Sequence, residues 1–365
     1  MSVSSSSTPT TLTEHVLRLY PGSSVGRVTV LGIDDDSKNE TTKGLGYGRP
    51  VRIDLTGPSG LRRLVFHTAR PDDFGHDRRS DRAQAMLLLW DTAAQIPLHT
   101  QAVDVGAIRS DGSLLSLANA GEFYVVTEWC DGVPYADDLR RIAQSGQVTD
   151  EDLSRVTTLA KALVDIHAAP GSHPAAYTRA IRDLLGHGEA IFGLVDSYPR
   201  DTPGVSQAQL QRIEEACLRW RWKLRNQTER LRRTHGDFHP FNILFEPSGR
   251  LHLLDTSRGS EGDPADDVAC LSVNYLFFGL EHRAKWSSGL GALWDRFWHV
   301  YRTERDDPGL VSALAPYFAW RGLVLASPLW YPHLTDADRQ RVLHFVERAL
   351  AADAFDPAWG REAMQ

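Results

Sequence analysis

Cysteine is scarce in this 365-residue sequence, which contains three of them: Cys130, Cys217 and Cys270. Their number is odd, they lie far apart, and their spacing does not match a zinc-binding motif. We therefore expect neither a disulfide framework nor a cysteine-ligated metal, and a reducing compartment is the simplest environment for the chain.

Long hydrophobic runs are also missing. No stretch is long enough to span a bilayer, and the Ser/Thr-rich residues 1–10 contain no basic segment followed by an apolar one. These absences argue against a membrane-spanning or exported protein. We expect a cytoplasmic protein with no membrane partner.

A surplus of basic residues is absent as well. The chain has 40 Lys and Arg against 47 Asp and Glu, for a formal net charge of −7. A nucleic-acid-binding protein would show a basic patch, so we expect no nucleic-acid partner, whereas neutral or cationic small molecules are compatible with this charge. With 42% hydrophobic residues the chain can bury a large core. Nothing in the sequence indicates an oligomeric state.

The most informative motif that is present lies between His235 and Phe245, which reads HGDFHPFNILF, and continues in Leu253–Asp255. Asn242 follows Asp237 by five positions, and Asp255 lies beyond a short apolar hairpin. Phosphoryl transfer requires an acceptor oxygen in line with the γ-phosphate and a divalent metal that neutralises charge. Mg²⁺ prefers oxygen ligands. We therefore predict Asp237 as the catalytic base, and Asn242 and Asp255 as the metal ligands.

At this motif the sequence resembles the aminoglycoside phosphotransferase and choline kinase family. That family carries His-Gly-Asp, four residues and then Asn, and this chain matches it at His235, Gly236, Asp237 and Asn242. The metal-binding Asp of the family falls on Asp255. The resemblance implies ATP or GTP and Mg²⁺ as cofactors, and a hydroxyl group of a small molecule as the acceptor.

Three further segments carry the resemblance, which extends from about residue 25 to about residue 280. Residues 262–269 are similar to the family's Gly-Asp-Pro-x-x-Asp-Leu-Ala segment, in which Asp263 and Asp267 are expected to cap a helix or brace the loop. Residues 123–132 are similar to its strand and interlobe hinge, where the backbone of Glu128 and Cys130 would receive the nucleotide base. Residues 159–167 are similar to its helix that ends in Leu-His.

The fold implied by the resemblance is α+β and two-lobed, as in protein kinases: a small antiparallel β lobe with one main helix, and a larger, mainly helical lobe that carries the catalytic hairpin. We predict a flexible N-terminus and short helix at 1–20, a nucleotide-binding lobe at 21–130, and a catalytic and acceptor-binding lobe at 131–365. The glycine turn that contains Gly46 and Gly48 occupies the place of the phosphate-covering loop, although such turns are also common between ordinary strands.

Hydrophobic periodicity and turn residues locate the individual elements. Strands are predicted at 26–32, 51–56 and 61–68, and helices at 11–20, 81–94, 265–278, 291–303, 311–325 and 335–350. In the helix at 81–94, Ala85, Leu88 and Leu89 share one face. Thr149 and Ser206 are predicted to begin two more helices as N-caps.

The sequence departs from the family at His67, which stands where a phosphate-contacting Lys is expected. A neutral imidazole cannot supply a fixed positive charge, although a polyphosphate nearby would favour its charged form. Arg63, on the same strand face, or Arg70 are alternative cations. The Glu that pairs with this Lys in the family is also missing. Asp77 and Asp81 are the acidic residues closest to its place.

A zinc hydrolase is a second interpretation of the central motif, because His235, Asp237 and His239 alternate and could meet one metal, with His252 near them. It leaves Asn242 without a role, so the phosphotransferase is favoured. Within that interpretation His235 is structural, Pro240 stiffens the turn, and the role of His239 stays open.

Aromatic residues are concentrated in the last third of the sequence: Trp286, Trp294, Trp298, Tyr317, Phe318, Trp320, Trp330 and Tyr331. Large rings usually pack in a core. One or two of them could instead line an acceptor pocket beside Asp237.

Two functional hypotheses follow. The first is a Mg-dependent small-molecule kinase, and the second is a degenerate kinase-like protein that binds a nucleotide or metabolite without turnover, as the His67 substitution allows. Retention of Asp237, Asn242 and Asp255 favours the enzyme, because a binding module has no need for a base.

Overall fold

The computed structural model describes residues 8–31 and 50–365. The predicted phosphate-covering turn with Gly46 and Gly48 lies outside these residues, as does the start of the predicted flexible N-terminus. The chain divides into two compact units, Met1–Thr127 and Glu128–Gln365. The assignment of nucleotide binding to 21–130 and of catalysis to 131–365 stays a prediction.

The described part of the first unit consists of α1 (Thr8–Leu19), β1 (Ser24–Val30), β2 (Val51–Gly57), β3 (Gly60–Phe66), α2 (Arg79–Ala93), β4 (Gly106–Ile108) and β5 (Leu114–Ser116). β1, β2 and β3 form an antiparallel sheet in that order, and β4 pairs with β5 in a separate hairpin. Val51 pairs with both Val30 and Phe66, so β2 is the central strand. The three predicted strands and both predicted helices are present in this unit, within a few residues of their predicted ends.

The described residues of the first unit form a small core. Leu12 and Val16 of α1 are buried with Ile53 and Leu55 of β2. The predicted apolar face of α2 is not buried: Leu88 is 59% and Leu89 is 44% exposed. The helix itself is present as predicted, but this face does not contribute to the core formed by the described residues.

The strand expected near Phe123 is absent. Residues 119–132 contain neither helix nor strand, and Tyr124 and Val126 are 90% and 83% exposed. The residues have high strand propensity, but a strand forms only where a neighbouring edge accepts its hydrogen bonds. The segment finds no such edge among the described residues, so the strand expected from the family resemblance does not form here.

The second unit is mainly helical. Its helices are α3 (Tyr135–Ser145), α4 (Asp150–Ala168), α5 (Pro174–Gly186), α6 (Ile191–Ser197), α7 (Gln207–Leu224), α8 (Ala265–Gly279), α9 (Leu290–Glu304), α10 (Ala315–Ala326), α11 (Asp336–Ala351) and α12 (Trp359–Ala363). Its short strands are β6 (Val133–Pro134), β7 (Arg232–Arg233), β8 (Ile243–Phe245), β9 (Leu251–Leu253) and β10 (Glu261–Gly262). β8 lies between β6 and β9, and β7 pairs with β10.

One large hydrophobic core holds this unit together. α8 lies within it: Ala265, Val268, Leu271 and Tyr275 are fully buried on this helix. Most of the aromatic residues of the last third, including Trp294, are buried, which supports their interpretation as core residues. No helix of the described chain is long and apolar enough to cross a bilayer.

Helix starts in this unit follow the predicted capping chemistry. The Thr149 side chain accepts the Asp152 N–H at the start of α4, and the Ser206 side chain accepts the Gln209 N–H at the start of α7. A side-chain oxygen at this position satisfies one of the backbone donors that the first helical turn leaves free. The helix predicted from residue 311 instead begins at Ala315, one residue before Pro316, since proline is well suited to the first helical turn.

Candidate active site

The predicted catalytic and metal-binding residues lie on the loop before the β8–β9 hairpin and directly outside its two strands. Asp237 precedes a short 3-10 helix, Pro240–Asn242, and β8 begins directly after Asn242. Ile243 pairs with Leu253 across the hairpin. The Leu254 N–H donates to the Asn242 carbonyl at 2.8 Å, so the backbone at Asp255 returns to the neighbourhood of Asn242.

The loop that carries Asp237 is held by Asp267 from the first turn of α8. Its carboxylate accepts the backbone N–H of His235 at 2.7 Å and that of Gly236 at 2.8 Å. Gly236 has a φ of +83°, and a Cβ atom there would lie 3.1 Å from the Gly259 carbonyl oxygen. Glycine therefore meets both a conformational and a steric requirement of the loop.

Asp267 is itself fixed from the opposite side. His167, at the end of α4, places Nε2 3.0 Å from Asp267 Oδ2, and its Nδ1 lies 2.7 Å from the Tyr301 hydroxyl. All three side chains are buried. Burial alone would raise the pKa of Asp267, but hydrogen bonds from His167 and the two backbone N–H groups lower it below its usual value. The predicted role of Asp267 as a brace for the loop agrees with these contacts.

Asp237 is mostly buried, with a side chain that is 10% exposed. Its Oδ1 accepts a hydrogen bond of 2.7 Å from Nη1 of Arg321 on α10. Its Oδ2 lies 3.8 Å from Arg258 Nε and 3.7 Å from His239 Nε2. The carboxylate therefore has one strongly bound oxygen and one oxygen that faces two basic side chains beyond hydrogen-bonding distance.

His239 contributes as a neutral group. Its Nδ1 accepts the Phe241 N–H at 3.1 Å. Burial lowers its pKa, and the nearby Arg321 and Arg258 add to this effect against the opposing attraction of Asp237. The sequence left the role of His239 open. In the structure its ring has a local structural role, because it caps the short 3-10 helix.

Trp320 is the one ring of the aromatic group that contacts both arginines beside Asp237. The guanidinium carbon of Arg321 lies 3.9 Å and that of Arg258 4.8 Å from its ring centroid. Its Nε1 donates to the Glu189 carbonyl at 2.8 Å. Stacking of this kind immobilises guanidinium groups without neutralising them.

Asn242 and Asp255 offer oxygen ligands of the type that Mg²⁺ prefers. Asn242 Nδ2 donates to the Asp237 carbonyl at 3.1 Å, which leaves its amide oxygen for another partner. The exposed Asp255, with a φ of +59°, accepts the Ser257 N–H at 2.8 Å. That bond lowers the pKa of Asp255, so its carboxylate is ionised at neutral pH. The donor chemistry fits the predicted metal.

The zinc interpretation gains no support from the geometry. The described ranges contain no group of three or more His, Cys, Asp or Glu side chains able to hold a metal ion. His235 Nδ1 accepts a hydrogen bond of 3.3 Å from the Asp237 N–H. His235 Nε2 is buried without a hydrogen-bond partner in the part of the chain that the structure describes. These contacts agree with a structural role for this ring.

In the first unit, β3 ends at Phe66, so the predicted strand stops one residue before His67, whose side chain is exposed. Arg63, one alternative cation, lies 3.9 Å from Asp54, and the other, Arg70, is exposed. Asp81 accepts the Arg78 N–H at 2.8 Å and thereby caps α2. That Arg63 or Arg70 replaces the missing Lys thus stays a prediction. The same holds for Asp77 as the acidic partner of that cation.

Glu128 and Cys130, whose backbone was predicted to receive the nucleotide base, lie at the start of the second unit in a segment without regular structure. Neither residue makes a backbone hydrogen bond within the described ranges. Their role in nucleotide binding stays a prediction.

Two arginines beside Asp237 were missed in the sequence. Arg258 follows the hairpin by a few residues, and Arg321 lies 84 positions after Asp237. The only local signal was the acidic cluster at Asp266 and Asp267, which needs a cation if it is buried. That signal does not say which of the chain's many arginines supplies the charge.

A braced loop with one carboxylate, followed by a hairpin with an amide and a second carboxylate, is the arrangement expected of a phosphotransferase of the kinase-like class. The chain belongs to the phosphotransferase enzyme family, whose model matches residues 54–304. This match confirms the predicted family, the protein-kinase-like α+β fold class, and the prediction of an enzyme that is a small-molecule kinase.

Solved structures with detectable similarity include an aminoglycoside-3'-phosphotransferase of type VIII, with 18% identity over 85% of this chain and 96% of that chain and a TM-score of 0.34. The choline kinase LicA from Streptococcus pneumoniae has 14% identity over 93% and 97%, with a TM-score of 0.34. A microcompartment-associated aminopropanol kinase has 15% identity over 95% and 99%, with a TM-score of 0.38. No curated protein matches the chain.

Proposed function

We propose that this protein transfers the γ-phosphoryl group of ATP or GTP, in the presence of Mg²⁺, to a hydroxyl group of a small molecule. The observation that carries the proposal is the position of Asp237: a carboxylate on a braced loop, next to the hairpin that Asn242 precedes and Asp255 follows. Membership of the phosphotransferase family supports the same reaction class.

In this proposal Asp237 orients the acceptor hydroxyl and takes its proton through Oδ2, the oxygen that no hydrogen bond occupies in the described chain. Asn242 and Asp255 hold the metal through their oxygens. The bound metal supplies charge neutralisation on the phosphates. Because the transition state of phosphoryl transfer is loose, the main contribution of Asp237 is to position the acceptor oxygen.

Gly46, Gly48, His67 and the backbone of Glu128 and Cys130 are proposed to contact the nucleotide. A second candidate function is motivated by His67: a protein that binds a nucleotide without turnover, since a histidine, which carries no permanent charge, stands at the place of the family's Lys. The acceptor in either case is a small molecule, and its identity is a matter for direct screening.

The test uses the full-length protein with Mg-ATP and, separately, Mg-GTP, and records phosphate release and transfer of phosphate mass to metabolites of a cell extract. We expect turnover by the unmodified protein and a loss of at least about 100-fold in Asp237→Ala. Asp353→Ala is the matched control, because Asp353 is a fully exposed carboxylate of the same unit.

Two results would contradict the proposal. Nucleotide binding without turnover, with both nucleotides and the whole extract, would favour the binding-only alternative. Equal turnover by Asp237→Ala and Asp353→Ala would remove Asp237 from the reaction.

A further inference from the structure

Arg321 makes an unusual set of contacts for a buried arginine. Besides its bond to Asp237, its Nη2 donates to the Gly236 carbonyl at 2.8 Å and to Asp266 Oδ1 at 2.7 Å. Burial opposes a charge on Arg321, but the carboxylates of Asp266 and Asp237 outweigh it and raise its pKa. The guanidinium is thus a permanent cation that joins α10 to the loop.

These contacts give the two carboxylate oxygens of Asp237 different environments. Oδ1 is bound by Arg321, and no hydrogen bond to Oδ2 is found within residues 11–31 and 50–365. An aspartate side chain that is free to rotate would exchange its two oxygens and spread Oδ2 over several positions. A bond of 2.7 Å to an immobilised guanidinium removes that freedom.

Arg321 is itself immobilised. Its guanidinium is stacked on Trp320, and its second nitrogen bonds to the backbone of the residue that precedes Asp237. Arg321 therefore bonds to the loop backbone and to the Asp237 carboxylate at the same time, and so fixes the position of one relative to the other. A lysine, which presents a single nitrogen, cannot make both contacts with the same geometry.

We propose that Arg321 is a positioning residue for the phosphotransfer proposed above: by fixing Asp237 Oδ1 and the Gly236 carbonyl, it presents Oδ2 to the acceptor hydroxyl. The inference rests on the proposed function. It assigns a role in the reaction to α10, a helix outside the motif that carries Asp237, Asn242 and Asp255. A displacement of a reacting group by about 1 Å can cost about 100-fold in rate, so the effect is measurable.

A merely structural Arg321 would make the same contacts, and the experiment must separate the two roles. We would measure kcat and the nucleotide KM for hydrolysis of the nucleotide with water as acceptor, which requires no knowledge of the natural acceptor. The variants are Arg321→Lys, Arg321→Met, Asp237→Asn and the double variant Asp237→Asn/Arg321→Met. Single-turnover conditions with excess protein record the slow variants, and thermal unfolding reports folding.

For a positioning residue, Arg321→Met lowers kcat by about 100-fold while the nucleotide KM changes by less than about threefold. Arg321→Lys lowers kcat by a smaller factor than Arg321→Met. If the Met variant does not fold, the Lys variant is used in its place. In the Asp237→Asn background the Arg321→Met change lowers kcat no further, since its effect passes through the carboxylate.

Arg230→Lys is the matched control. Arg230 is also buried and also joins two carboxylates, Asp263 and Asp307, but makes no contact with Asp237 in the described structure. The Arg230→Lys variant should unfold at a lower temperature than the unmodified protein and have the same kcat.

Three results would overturn the inference. One is a normal kcat in Arg321→Met, and another is an equal loss of kcat in the Asp237→Asn background. The third is an equal loss of kcat in Arg230→Lys. Absence of turnover in the unmodified protein, with both nucleotides and with water and the whole extract as acceptors, would instead contradict the proposed function itself, so the two failures are distinguishable.

Discussion

At the scale of single residues, Asp267 shows how one buried carboxylate organises a polar loop. It accepts hydrogen bonds from two backbone N–H groups and lies within hydrogen-bonding distance of His167. A buried carboxylate is costly unless hydrogen-bond donors surround its oxygens, and here backbone and side-chain groups supply them. These hydrogen bonds offset the desolvation cost of the buried charge and hold the loop rigid at His235 and Gly236.

Replacement of Asp267 by Asn should lower the free energy of unfolding by about 1–3 kcal/mol at pH 7, because an amide cannot accept from all three donors. The pKa of Asp267 is lowered in the folded state, so its contribution to stability is present above its unfolded pKa of about 3.9 and is lost as the pH falls through the folded value. Urea unfolding at pH 7 and at about pH 3 measures both effects.

The difference between Asp267→Asn and the unmodified protein should therefore shrink as the solution is acidified. Asp353→Asn serves as the control, since this exposed carboxylate should change stability little at either pH. A difference that is independent of pH would show that the charge of Asp267 is not what stabilises the loop.

At the scale of elements, α10 and α11 approach each other at Gly322. A Cβ atom on Gly322 would lie 2.3 Å from Val346 Cγ2, which is far inside contact distance. Val346 is fully buried and, like other β-branched residues, stiff about χ1. The small residue therefore sets the separation of α11 from the helix that carries Arg321.

Gly322→Ala should destabilise the protein by about 1–3 kcal/mol, because one of the two helices must move to accommodate the methyl group. The midpoint and slope of urea unfolding give this value. Gly186→Ala is the matched control: Gly186 is the last residue of α5, and an added Cβ there meets nothing within 4 Å. It should be neutral or stabilising by up to about 1 kcal/mol. An equal loss of stability in both variants would contradict the role of close helix approach.

At the scale of the whole molecule, the two units differ in the size of their cores. The first unit buries a cluster of four hydrophobic side chains in its described part, Leu12, Val16, Ile53 and Leu55. The second buries a continuous core that includes nearly every position of α8. Since burial of apolar area supplies most of the stabilisation of a fold, resistance to opening should follow the same order.

Hydrogen exchange measures that order directly. Amides of α8, residues 265–279, should exchange only at rates set by global unfolding of the second unit. Amides of β3, residues 60–66, should exchange sooner, because most of the side chains on this strand are exposed. Equal protection of the two segments would show that the small core is as stable as the large one.

The positions of most helices could be predicted because their apolar residues recur at helical spacing and their caps are local, as Thr149 and Ser206 show. The segment at Phe123 could not, since a strand depends on a partner that the local sequence does not contain. Helical periodicity likewise identified an apolar face of α2, but it does not say whether another element covers that face.

The sequence by itself determined the reaction class, because the chemistry of phosphoryl transfer demands particular residue types at the short spacing that runs from Asp237 to Asn242 and across one hairpin to Asp255. Only the tertiary structure decided how Asp237 is held. The groups that hold Asp237 and its loop, Arg321 and Asp267, reach them from α10 and α8 through contacts that depend on packing geometry and burial. Such contacts leave no pattern in the local sequence, since any of several arginines could satisfy a buried carboxylate until the fold brings one of them within 2.7 Å.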